Sequence, residues 1–91
     1  MKLDENHKLL ELFLRFARSS MAAHDHDAAE LLLLRALKLA IAEMPDQGTA
    51  EGLVLVELWD LYQRTGRDKQ ADESWRRLCS ILQKLEIIRS G

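Results

Sequence analysis

One cysteine, Cys79, stands in 91 residues, so neither an internal disulfide nor a cysteine metal cluster can form. A single proline and four glycines leave few points at which the chain must break. No stretch approaches the roughly 18 uninterrupted apolar residues of a membrane span. Lys2, Asp4, Glu5 and Lys8 precede any apolar run, leaving no core for a signal peptide. The expected location is therefore cytoplasmic, with no membrane partner. Charge of one sign is also missing: 13 Lys plus Arg face 15 Asp plus Glu, for a net charge of -2 without a basic stripe. Affinity built on phosphate neutralisation needs such a stripe, so no nucleic-acid partner is expected. A glycine-rich phosphate loop is absent too.

What is present is helical periodicity. Leu9, Leu10, Phe13, Phe16 and Ala17 recur at helical spacing, predicting an amphipathic helix from about Asp4 to Ala22. His24-Asp25-His26-Asp27 interrupts it, and Asp27 with Glu30 three residues on reads as a capping box opening a second helix. That helix carries Ala29, Leu33, Ala36, Leu37 and Ala40, and must stop near Met44 because Pro45 disfavours helical geometry in the residue before it. Pro45-Asp46-Gln47-Gly48 is then a turn. Thr49 is placed to cap a third helix with Leu55, Leu58, Trp59 and Tyr62 on its apolar face, and Gly66 to end it. Asp68 starts the last helix, through Ala71, Trp75, Leu78, Leu82 and Leu85 to about Ile88. Short connections demand antiparallel neighbours, so the fold class is an all-α array of helical hairpins.

Sliding the chain against itself by about 42 residues aligns Phe13 with Leu55, Phe16 with Leu58, Ser20 with Tyr62, Ala29 with Ala71, Glu30 with Asp72 and Leu33 with Trp75. The second copy places Leu58, Tyr62, Gly66, Ala71, Trp75 and Leu78 at the spacings of the tetratricopeptide repeat (TPR), which it resembles. Together with Ala29 to Leu39 and Pro45-Asp46, it looks like the longer form of that repeat found in kinesin light chains. His24 stands where the family usually has glycine, Ser20 where it has an aromatic, and Trp59 where it has a small residue. The resemblance implies one two-repeat domain over residues 1–91, with repeats at about 4–45 and about 48–89, in a right-handed superhelical array.

It also implies a protein-protein interaction module that binds a peptide or helix in a groove lined by the first helix of each hairpin. The residues placed on that groove are Glu11, Leu14, Arg15, Arg18, Met21, Val56, Glu57, Asp60, Gln63 and Arg64. Arg15 and Arg18 correspond to Glu57 and Asp60 at the repeat offset, so opposite charges should face each other across it. With Leu14 and Val56 where donors would be needed, the groove is not the cationic clamp by which some family members hold acidic C-terminal tails. A carboxylate pair such as Glu57 and Asp60 could serve acid-base chemistry, but Arg64, four residues beyond Asp60, offers a plain helical ion pair. Ser19, Ser20 and the histidines form no nucleophile arrangement, and Cys79 reads as a small apolar residue, so no catalytic site and no cofactor are expected.

His24 and His26 with their neighbouring aspartates suggest a metal site, yet His7 lies about 25 Å along the first helix at 1.5 Å per residue and cannot join them. No metal is expected. Repeat arrays ordinarily finish on a capping helix with a polar outer face. Here Leu85, Ile87 and Ile88 are apolar, so they are expected to form an oligomer interface, most simply in a homodimer. The alternative reading is a structural subunit or small helical chaperone that completes a larger assembly, for example a secretion system.

Overall fold

The computed structural model describes the backbone of residues 2–45 and 48–90 and the side chains of residues 5–45 and 48–84. Four helices follow one another: α1 (Lys2–Ala22), α2 (His26–Glu43), α3 (Thr49–Arg64) and α4 (Asp68–Ser90). Each packs on the next, α1 on α2, α2 on α3 and α3 on α4, and no strand occurs among the described residues. The all-α hairpin array expected from the sequence is what forms. It is a slab of 43 × 35 × 17 Å, two helix layers thick.

The two hairpins repeat each other at the offset read from the sequence, down to individual hydrogen bonds. α1 and α3 end at Ala22 and Arg64, and α2 and α4 start at His26 and Asp68. In the first turn the Ala23, His24, Asp25 and Ala29 amides donate to Ser19, Met21, Ser20 and Asp25 carbonyls at 3.1, 3.0, 2.8 and 3.1 Å. In the second, Thr65, Gly66, Arg67 and Ala71 donate to Leu61, Gln63, Tyr62 and Arg67 at 3.0, 3.3, 2.9 and 3.0 Å. Both turns need one left-handed residue. Gly66 supplies it at φ 73°, whereas His24 is forced to φ 60°.

That conformation costs a residue with a Cβ about 1 kcal/mol, partly offset by the extra freedom glycine has in the unfolded chain. His24→Gly is therefore expected to stabilise the domain by about 0.5 kcal/mol and raise its melting midpoint by about 3 °C. An unchanged or lower midpoint in calorimetry would show that the edge contact of the His24 ring with His26, at 6.1 Å between centroids, outweighs the backbone term.

Helix starts differ from expectation at two places. Asp25, not Asp27, caps α2: its carboxylate accepts from the Ala28 amide at 3.2 Å, and Asp27 lies within the first helical turn, where its charge suits the positive end of the helix. Thr49 is itself helical, so the cap of α3 is Gly48, in the left-handed region at φ 79° with no side chain to cap. α2 stops at Glu43, with Met44 as its cap ahead of Pro45. Asp46 and Gln47, read as the middle of that turn, lie outside the described residues.

One cluster forms the core. Ala17 and Met21 of α1, Leu33 and Ala36 of α2, and Leu58 and Leu61 of α3 are among its buried members. Alanines at 29, 36 and 40 let the neighbouring helices approach α2 closely. A smaller cluster of Leu55, Leu78 and Ile81 joins α3 to α4 and touches Leu37. Leu9, Phe16, Trp75 and Leu82, read as core-facing from periodicity, are instead exposed. The reason is position: α1 and α4 are the outer helices of the stack, and each has apolar surface on a side that no neighbour covers.

Candidate functional site

Two features stand out on this scaffold: a set of polar contacts tying the hairpins together, and rows of exposed apolar side chains on the helices. The strongest polar contact centres on Glu30 of α2. Arg67 donates to it through both terminal nitrogens, at 2.7 and 2.8 Å, and the Tyr62 hydroxyl donates at 2.8 Å. The Arg67 guanidinium carbon also lies 5.2 Å from the centre of the Tyr62 ring. Burial of the phenol, reinforced by its hydrogen bond to Glu30 and by that carboxylate's charge, pushes the Tyr62 pKa from 10.0 up to about 12.

Sequence reasoning missed this arrangement, reading Glu30 as a capping partner of Asp27. The turn places Glu30 on the face toward α3, so its carboxylate satisfies another hairpin's side chains. The pattern held one signal: Tyr62 and Glu30 are both substituted by shorter polar residues, Ser20 and Asp72, at the repeat offset.

Across the face formed by α1 and α3, one of the expected cross-groove ion pairs is present with a different partner. Arg18 donates to Glu57 at 2.9 and 3.2 Å. Arg15 pairs within α1 with Glu11 at 3.4 Å, and Asp60 within α3 with Arg64 at 3.1 Å, because residues four apart on one helix meet more easily than residues on two. Arg18, Met21, Glu57, Asp60 and Arg64 line one shallow depression, and Glu11 and Arg15 another with Lys8 and Leu12. Leu14 is half-buried against the core, while Val56 and Gln63 are exposed. The Arg18 side chain is largely solvent-exposed, so Arg18→Ala is expected to lower stability by at most about 1 kcal/mol, checked by urea denaturation.

The apolar rows lie elsewhere. Leu9, Leu12 and Phe16 share one exposed side of α1, Leu31, Leu34 and Ile41 one side of α2, and Trp75 and Leu82 one side of α4. Trp75 lies tilted by 40° against the half-buried Trp59 of α3 with centroids 5.4 Å apart, so its own ring faces solvent where α3 and α4 meet. Cys79 is half-buried on the same helix. The side chains of Leu85, Ile87 and Ile88, read as the oligomer interface, lie outside the described residues.

Among the described residues no three His, Cys, Asp or Glu side chains converge to hold a metal ion. His26 Nδ1 is buried with no hydrogen-bond partner. No helix among the described residues is long and apolar enough to cross a membrane. No protein-family model, curated protein or solved structure matches the chain.

Proposed function

We propose that this chain is a protein-protein interaction module that acts by binding, not by chemistry, and engages its partner through the apolar faces of its outer helices. The observation that carries the reading is the row of large apolar side chains on α1 together with the Trp59–Trp75 surface at α3 and α4. Apolar rows rimmed by polar residues are the usual mark of a binding surface. The resemblance to tetratricopeptide repeats, carried by Leu58, Tyr62, Gly66, Ala71 and Trp75, points to the same class, and a single unpaired cysteine suits a cytoplasmic setting.

A second reading keeps the partner in the groove between α1 and α3, supported by the depression around Arg18 and Glu57. It is less favoured because four of the six residues lining that depression are charged, whereas the outer helices display large exposed apolar side chains. The structural-subunit reading uses the same apolar faces and differs only in the permanence of the complex.

The test is affinity capture from native extract with the unaltered chain, Trp75→Glu and Arg18→Glu. Loss of the captured protein with Trp75→Glu alone is the expected result. Loss with Arg18→Glu alone would move the site to the groove, and capture of nothing by the unaltered chain would overturn the reading.

A further inference from the structure

Four residues of the exposed rows on α1 and α4 have buried counterparts inside the same molecule, while Leu9 corresponds to the charged Glu51. At the repeat offset Leu12 and Phe16 of α1 correspond to Val54 and Leu58 of α3; the first two are 45% and 56% exposed, the second two 0% and 2%. Likewise Trp75 and Leu82 of α4 correspond to Leu33 and Ala40 of α2; the former are 48% and 50% exposed, the latter both 0%. The packing of the first hairpin against α3 thus has both of its halves displayed a second time, one on each outer helix, and both uncovered.

Charge follows the same rule. The internal contact is bridged by Arg18 and Glu57 at 2.9 Å. Their counterparts are Asp60 and Arg15, again of opposite sign with the order reversed, and their present partners, Arg64 and Glu11, are neighbours on their own helices. Ser20 and Asp72, counterparts of Tyr62 and Glu30, again offer a hydroxyl to a carboxylate. Arg67 has no equivalent, since its counterpart is Asp25, whose carboxylate caps α2.

We propose that a second copy of this chain seats its α1 face on the α3–α4 face of the first, head to tail, repeating between molecules the packing that joins the hairpins within one. The inference rests on the reading of the chain as an association module and names its partner. A contact between two different faces leaves a free face at each end, so copies add beyond the dimer until a ring closes or the string runs on.

Sedimentation velocity over a concentration series tests it, with Phe16→Glu blocking the α1 face and Trp75→Glu blocking the α4 face. The unaltered chain is expected to rise past dimer mass with concentration. Each variant alone should stay monomeric, and their equimolar mixture should form a one-to-one dimer that grows no further. A helical circular-dichroism spectrum and a cooperative melt establish that each variant is folded; if Trp75→Glu unfolds, Leu82→Glu blocks the same face. Arg15→Glu and Asp60→Arg should each weaken association about fivefold at low salt, and the double exchange should restore it. A monomer at every concentration, a plateau at dimer, or dimerisation of either blocked variant alone would overturn the head-to-tail contact. The partner-capture experiment can still succeed in that case, so the two readings fail separately.

Discussion

Leu33→Ala is expected to destabilise the domain by about 3 kcal/mol, while Leu34→Ala, one residue along the same helix, is expected to change it by well under 1 kcal/mol. Leu33 is 0% exposed within the core shared by α1, α2 and α3, whereas Leu34 is 44% exposed. Truncation at the buried site removes the transfer free energy of the lost carbons and leaves a cavity that packed neighbours fill only in part. A domain of this length has a total stability of about 5–14 kcal/mol, so the loss is a large share of it. It should lower the melting midpoint by about 15 °C. Thermal melts of the two variants check the pair; equal shifts would mean that the burial of α2 has been assigned to the wrong face.

Removing the carboxylate of Glu30 is the second large effect. Glu30→Ala is expected to cost about 2 kcal/mol in urea denaturation, because two charge-assisted bonds from Arg67 and one from Tyr62 lose their acceptor together. Arg67 is about one-third exposed and can regain water, which keeps the loss below that of a fully buried pair. The same contact sets a pH dependence. Tyr62 has a pKa of about 12 in the folded chain against 10.0 for the free side chain, so the neutral phenol is favoured by folding. Its contribution is complete below pH 10 and is lost as pH rises from 10 toward 12. Tyr62→Phe should therefore flatten the alkaline fall of stability relative to the unaltered chain. An identical slope in both would show that the phenol ionises as freely folded as unfolded. In Glu30→Ala the phenolate absorbance should appear at lower pH than in the unaltered chain, because the carboxylate that disfavours the phenolate is gone while Arg67 stays beside the ring.

The fold was legible in the sequence at the places where backbone chemistry is strict. Pro45 stops α2, Gly66 ends α3, and Ala29 and Ala71 mark the offset that the turn hydrogen bonds repeat. Where two residues could serve equally, pattern could not choose: Asp25 and Asp27 both suit a helix start, and only the left-handed turn at His24 decides which one reaches an amide. Periodicity identified an apolar side for each helix but not what covers it. That is why Phe16 and Trp75, on the same pattern as buried residues, emerged at the surface. The groove pairing was half legible. Opposite charges do face each other across α1 and α3, but competition from partners four residues away on the same helix left only Arg18 and Glu57 to bridge them. The Glu30 contact was the least legible, since it joins residues far apart in the chain through three side chains of unlike type.

Gly48 carries one consequence beyond the cap it provides. A Cβ there would lie 2.9 Å from Cγ2 of Ile81, so Ile81 of α4 leaves no room for a side chain at the start of the second hairpin. A side chain at position 48 would therefore have to displace Ile81, which belongs to the small cluster with Leu55 and Leu78 that joins α3 to α4. Glycine at this position thus keeps α4 close against the start of α3, and any larger residue there would push the second hairpin open at its base.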